Sequence, residues 1–200
     1  MARALGAAIG AFAFGLILAG AALLLAGAAH AQELDKPILL VAKPQLQGGY
    51  KHTAVLAVPT RDGKHIGFIL NRATEVTMST LFPEHAPSAK VVDPVYFGGP
   101  EALDAIFALV KGRPGPNALH LFGEFYVTGE AVMVDRIIEQ MPNEARFFVG
   151  FVGWQPGELA MEIQKGAWFV DSPDGSQIMR RDTGHMWEEL VRKLASRVGT

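Results

Sequence analysis

Residues 146 to 170 read Arg-Phe-Phe-Val-Gly-Phe-Val-Gly-Trp-Gln-Pro-Gly-Glu-Leu-Ala-Met-Glu-Ile-Gln-Lys-Gly-Ala-Trp-Phe-Val. No other stretch restricts the fold as strongly. Arg146 to Val152 is aromatic, apolar and β-branched, which suits a strand covered on both faces. Gly153, Pro156 and Gly157 then stop it. Pro156 suits the first turn of a helix, where a preset φ helps and a missing N–H has no intrahelical partner to lose. Gly166 suits the far end, where a left-handed residue terminates helices cheaply. Between them Leu159, Ala160 and Ile163 share one helical face, and Glu158, Glu162 and Lys165 are left to water. The stretch predicts a strand, a tight turn, a short helix and a second strand, with Trp154 at the elbow.

The N-terminus is of a different kind. No charge occurs between Arg3 and His30, and the run is built of Ala, Leu, Gly, Ile and Phe. A basic start, an apolar stretch and Ala29-His30-Ala31 before Gln32 are the three parts of a secretory signal, cleaved between Ala31 and Gln32. The expected organisation is a signal over residues 1–31 and one domain over 32–200. The run exceeds the ~7–15 residues of an ordinary signal core and approaches the ~20 that span a bilayer. Retention of residues 4–29 as an N-terminal membrane anchor is therefore the competing reading. In both, Arg3 stays inside and the domain lies beyond the cytoplasmic membrane. The first reading makes the protein periplasmic or secreted, the second inner-membrane anchored and facing the periplasm. No Cys follows the run to take a lipid, and no twin Arg precedes it.

The 200-residue chain has no cysteine, which excludes thiolate zinc sites, iron–sulfur clusters and Cys nucleophiles. Loss of residues 1–31 removes one of 18 basic side chains, leaving 17 against 20 acidic ones. Such a domain has no bulk attraction for nucleic acid. Arg180, Arg181, Arg192, Lys193 and Arg197 are read as a solvated face.

Along the domain, Ile38 to Ala42 is an aliphatic run of strand length. Thr53 to Val58 and His65 to Leu70 flank Asp62-Gly63, a hairpin signal, and are expected as antiparallel neighbours. Thr77 to Phe82 fits one helical turn, 84–94 a loop, and Pro94 to Phe97 a short strand ended by Gly98-Gly99-Pro100. Glu101 to Lys111 is expected as a helical turn followed by a strand. Short strands follow over 118–122 and 124–128, then a helix over 130–141 ended by Pro142. A strand near 177–180 precedes a last helix that Thr183 caps, with Met186, Trp187, Leu190, Val191 and Leu194 in one stripe. The expected class is α+β (mixed α/β): a single compact domain, a largely antiparallel mixed sheet flanked by helices.

Motifs for chemistry are scarce. There is no G-x-S-x-G elbow, no Walker A loop and no G-x-G-x-x-G. The histidines at 52, 65, 85, 120 and 185 lack metal-helix spacing. The expectation is no catalytic residue, no metal and no cofactor. What remains are loop residues at strand ends, where functional groups collect: Asn71, Arg72, Gly98, Gly99, Pro100, Gly153, Trp154, Gly157 and Glu158. In a shared pocket, Arg72 would pair with an anion, Glu158 would stand near a helix N-terminus and Trp154 would form a stacking wall. Equally, Arg72 ties strand ends together, the glycines permit turns and Trp154 fills core.

Five blocks, Ile38-Leu-Leu-Val-Ala42, Gly67-Phe-Ile-Leu-Asn-Arg72, Pro94-Val-Tyr-Phe-Gly-Gly-Pro100, Gly150-Phe-Val-Gly-Trp-Gln-Pro-Gly-Glu-Leu159 and Gly166-Ala-Trp-Phe169, resemble in order and spacing the motifs of the AlgH/YqgE family of bacterial proteins. The resemblance runs from about residue 38 to the last helix. It implies one compact α/β fold with a mixed sheet flanked by helices. It also implies an activity that is not established, under the label of transcriptional regulator that follows an association with alginate production. The family's signature positions fall on Asn71, Arg72, Gly98, Gly99, Pro100, Gly153, Trp154, Gly157 and Leu159. The chain departs from the pattern at Gln47-Gly-Gly-Tyr50 and Lys51-His-Thr53, where relatives carry Asp-Pro-x-Phe and a Ser. It departs again in its export signal, since the usual members look cytosolic.

Two functional expectations follow. The first is an exported, non-catalytic binding or regulatory domain whose strand-end loops hold a small ligand or a protein partner. The second is a hydrolase or transferase acting on a small anionic substrate, with Glu158 as acid or base and Arg72 as electrostatic clamp.

Overall fold

A computed structural model describes residues 34–198, and the fold is that of the unit starting at Pro37. The expected signal or anchor, with its Ala31–Gln32 cleavage point, lies outside the described residues. Among the described residues no helix is long and apolar enough to cross a membrane.

The centre is a sheet in the order β6-β7-β5-β8-β3-β2-β1-β9, with β4 attached to β8. Its strands are β1 Ile38–Ala42, β2 Ala54–Pro59, β3 His65–Ile69, β4 Tyr96–Phe97, β5 Glu101–Lys111, β6 Leu119–Phe122, β7 Phe125–Thr128, β8 Ala145–Trp154 and β9 Trp168–Asp171. The β4–β8 pair is parallel and the other ladders are antiparallel. The helices are α1 Met78–Leu81, α2 Ala131–Gln140, α3 Glu158–Gln164, α4 Gly175–Ile178 and α5 Met186–Val198. This is the mixed α+β class that the sequence predicts.

Continuous apolar runs become strands buried on both sides. All five residues of β1 are buried. Leu39, Val41, Leu56, Phe68 and Leu70 share one cluster with Met186, Leu190 and Leu194 of α5. The alternate residues Leu40, Val55, Ala57 and Ile69 are equally inaccessible. A second core joins α2, through Val134, Ile137 and Ile138, to Ala108, Val110 and Phe147 of the sheet and to Met78, Val91 and Val95. The hairpin forms as expected, with Val55 opposite Ile69 and Gly63 at φ +79 in the turn.

Several local expectations are corrected. Glu101–Lys111 is strand throughout, because β8 and β7 bond its two edges, and two ladders outweigh the weak helical preference of Ala and Leu. The expected helical turn is instead a bulge between Glu101 and Ile106, with Ala102 at φ +51. Residues 84–94 include a 3-10 turn, Ala86–Lys90. The strand expected near 177–180 is the helical turn α4, because the Asp174 carboxylate accepts the Ser176 N–H at 2.8 Å and caps it.

Arg146 opens β8 and is 1% exposed. Its guanidinium donates to the carbonyl oxygens of Ile178 and Leu70 and lies 4.0 Å from the Tyr96 ring centroid. Burial pulls its pKa below the ordinary value, and the Tyr96 hydroxyl opposes that pull. A charge is thus kept in the core by carbonyl dipoles and aromatic faces.

Candidate functional site

The elbow after β8 sets the site. Trp154 belongs to the strand and is 3% exposed. Its ring lies over Gly67, where an added Cβ would stand 2.7 Å from the indole. Pro156 precedes the helix instead of opening it. Gly157, left-handed at φ +81, is the N-cap of α3, a conformation that glycine alone adopts without steric cost. Glu158 turns its carboxylate back to accept the Gln155 N–H at 2.9 Å. Leu159 drops into the core, and Gly166, at φ +78, follows the helix end as predicted.

Glu162, expected to face water, is half-buried and accepts two indole N–H groups on one oxygen, Oε2. Trp154 Nε1 is 3.0 Å away and Trp168 Nε1 2.8 Å. The helix is thereby fastened to β8 and β9 together. Beside Trp168, with ring centroids 6.0 Å apart, stands Tyr50. The Tyr50 phenol is held above its ordinary pKa first by burial, then by the charges of Glu162 and Glu101, with Glu158 adding to the shift and Arg72 opposing it. Arg72 is in turn lowered by burial and supported by Tyr50. Its Nη2 donates to the Lys51 carbonyl at 3.4 Å, and its guanidinium lies 6.0 Å from the Phe97 ring centroid.

Tyr50 therefore reports where the sequence-predicted residues stand. Arg72 and Glu158, distant in the chain, both act on this one phenol, and Trp154 joins them through Glu162. Tyr50, Glu162 and Trp168 line a cavity of about 390 Å³ with Gln45, Gln47 and Lys165 among others, and Arg72, Glu158 and Trp154 are not part of its wall. Its walls offer amide, phenol, carboxylate and ammonium groups, which suit a polar ligand with both charges.

The other predicted residues hold the frame. Asn71 accepts the Ala54 N–H at 2.9 Å and donates to the His52 carbonyl at 2.8 Å, pinning the loop that carries Tyr50 to the end of β3. Gly98 donates its N–H to Val149 and accepts from Ile69, so it bridges β3 and β8 where they part. A Cβ on Gly98 would collide with the Gly150 carbonyl, and one on Gly99 with the Phe151 carbonyl. Pro100 and Gly153 are exposed, and Gly153 has room for a Cβ, with Glu101 Cγ at 3.6 Å.

Sequence reasoning missed Tyr50, Glu101, Glu162, Trp168 and Lys165. A usable signal existed for Glu162: the strands on both sides of its short helix each carry a tryptophan, and a buried indole N–H requires an acceptor. Tyr50 had no such signal, since its neighbours come from four separate elements.

A second cavity, about 610 Å³, lies elsewhere between α2, β5 and the segment after α1, and no sequence-predicted residue lines it. Four of the five basic residues read as a solvated face carry ion pairs. Arg180 pairs with Glu189, Arg181 with Asp93, and Lys193 and Arg197 with Asp171.

A family profile described as DUF179, AlgH-like, matches residues 39–198. A UPF0301 protein of Rhodococcus jostii is 29% identical over 161 residues, covering 78% of this chain and 80% of the relative. One from Bacteroides thetaiotaomicron is 26% identical over 166 residues, covering 81% and 84%. The solution structure of AlgH from Pseudomonas aeruginosa superposes with a TM-score of 0.65 at 21% identity, covering 82% of this chain and 88% of that one. A crystal structure of a Corynebacterium diphtheriae protein gives 0.64 at 22%, covering 80% and 86%. At these identities the structural likeness shows the fold alone.

Proposed function

The chain belongs to the AlgH-like family, and on that premise we propose that it is an exported, non-catalytic binding domain whose Tyr50 groove holds a small ligand, or a segment of a protein partner, bearing both an amine and a carboxylate. The observation that carries this reading is the cavity lined by Tyr50, Glu162, Lys165 and Trp168, whose Tyr50 phenol also feels the charges of Glu101, Arg72 and Glu158. Glu162 and Lys165 give its walls both signs of charge, which suits a zwitterion better than a simple anion.

The hydrolase or transferase reading finds less support in the same geometry. Glu158 is engaged with the Gln155 N–H, and Arg72 with the Lys51 carbonyl. Delivery by residues 1–31 would place the domain beyond the cytoplasmic membrane, where direct action on a promoter is excluded.

Two measurements test the proposal. The full chain is expressed in a bacterial host, fractionated and sequenced from its N-terminus. A periplasmic product starting at Gln32 is expected, and an intact chain in the membrane fraction would replace cleavage with anchoring. A cytoplasmic product would overturn export. Separately, amide shifts of the cleaved protein are followed while free amino acids and dipeptides are added. Saturable shifts at Tyr50, Arg72 and Lys165 that Arg72→Ala abolishes are expected, and their absence across the panel overturns the groove.

A further inference from the structure

The larger cavity carries a cluster of different chemistry. Asp135 and Glu139 stand one turn apart on α2, on the same face. His85 approaches them from the N-terminal flank of the 3-10 turn Ala86–Lys90. One donor atom from each of His85, Asp135 and Glu139 lies within 4.8 Å of the other two. Donors bound to one divalent ion at about 2.0–2.2 Å stand at most about 4.4 Å apart, so small side-chain rotations close the set.

The imidazole is already oriented. Its Nδ1 is 2.8 Å from Ser88 Oγ, and Ser88 is fully buried with its N–H donating to the His85 carbonyl at 2.9 Å. Nε2 is left facing Asp135 Oδ1 at 3.2 Å. A ring nitrogen fixed by a partner outside the ligand set is the arrangement that metal-bound histidines use. A plain His85–Asp135 ion pair would leave Glu139 as a second negative charge beside the first, and like charges at this spacing repel.

His85 and Asp135 also line the 610 Å³ cavity, whose remaining walls include Phe82, Ile106, Val132 and Ile138. Three protein ligands leave coordination positions open, as in sites that bind a further molecule at the metal. We propose that His85, Asp135 and Glu139 form a divalent transition-metal site, of the Mn²⁺ or Zn²⁺ type that one imidazole and two carboxylates select. Its open positions border an apolar cavity sized for a small ligand with an apolar body and an oxygen donor. The site is separate from the Tyr50 groove and does not depend on it.

The test uses the full chain, stripped with a chelator and titrated calorimetrically with MnCl₂ or ZnCl₂. One equivalent of saturable binding is expected. His85→Ala and Glu139→Gln should each weaken it about tenfold or more, as even outer-shell changes do at metal sites. His120→Ala, a remote exposed histidine, should leave it unchanged. Cobalt(II) provides a second readout: its visible bands in the wild type should shift in His85→Ala, and circular dichroism checks that each variant is folded. Absence of saturable binding with a Kd below about 1 mM, roughly 4 kcal/mol, would overturn the proposal. So would unchanged affinity in folded His85→Ala and Glu139→Gln variants.

Discussion

Trp154 and Trp168 donate their indole N–H groups to the same atom, Oε2 of Glu162, at 3.0 and 2.8 Å. The two tryptophans sit on β8 and β9, at separate places in the sheet order, so one carboxylate on α3 joins strands that do not pair with each other. Glu162→Ala leaves two indole donors without an acceptor. It should lower the unfolding free energy by about 2–6 kcal/mol, taking roughly 1–3 for each unsatisfied donor. Glu162→Gln keeps an acceptor and should lose less than half as much. Urea unfolding followed by tryptophan fluorescence measures both.

Gly98 is required by contact. Its substitution by Ala drives a methyl into the Gly150 carbonyl at the point where β3, the residues after β4 and β8 meet. Backbone has no rotamer with which to yield, so a loss of about 3 kcal/mol or failure to fold is expected, at the upper end of overpacking costs. Gly49→Ala, whose Cβ would meet nothing within 4 Å, should stay within about 0.5 kcal/mol of wild type. Thermal unfolding of the pair separates packing from a general intolerance of glycine loss.

Arg146→Met tests the buried guanidinium. The replacement fills similar space but leaves the Leu70 and Ile178 carbonyls without their donors. A loss of about 2–4 kcal/mol is expected from those two buried acceptors, read as a lower urea midpoint with an unchanged slope.

The Tyr50 phenol should ionise above the ordinary tyrosine value, because burial and the Glu162 and Glu101 charges disfavour phenolate. Its proton is held more tightly in the folded state than in the unfolded state. The resulting stabilisation is complete below the ordinary tyrosine value of 10.0 and is lost as pH rises through the higher folded value. Ultraviolet titration should show a late-titrating tyrosine that Tyr50→Phe removes, and Glu162→Gln should bring it earlier.

Asp62, in the β2–β3 turn, should titrate at about 2 rather than 3.8, chiefly because the Thr60 hydroxyl donates to its carboxylate, with Lys64 next. A depressed carboxylate stabilises above its unfolded value and stops doing so as pH falls through the folded one. Thr60→Val should move the Asp62 midpoint, followed by carboxyl carbon shifts, up toward the ordinary value.

The frame was more legible than the site. Ile38 to Ala42, the Asp62-Gly63 hairpin, the 130–141 helix and the α5 stripe could be read because hydrophobic period and turn chemistry are local. Glu101–Lys111 and the segment near 177 could not. The first has a weak helical preference overridden by ladders on both edges, and the second is decided by the Asp174 cap and the burial of Ile178. Arg72 and Glu158 stand out in the sequence as candidates from their positions at strand and helix ends. Glu162 was misassigned because helical spacing gives its face but not the two indoles that arrive from β8 and β9.

The sequence alone determined the elements whose causes lie within a few residues: apolar runs, the glycine at each end of α3, and the five blocks that carry the resemblance to the AlgH-like family. The tertiary structure decided where charge resides. Arg146 is buried because Leu70 and Ile178, 76 and 32 residues away, present carbonyls to it. Tyr50 is perturbed by burial and by the charges of Glu162 and Glu158 on α3, Glu101 on β5 and Arg72 after β3. Electrostatic energy depends on distances of a few ångströms between groups far apart in the chain, and only the folded sheet sets those distances.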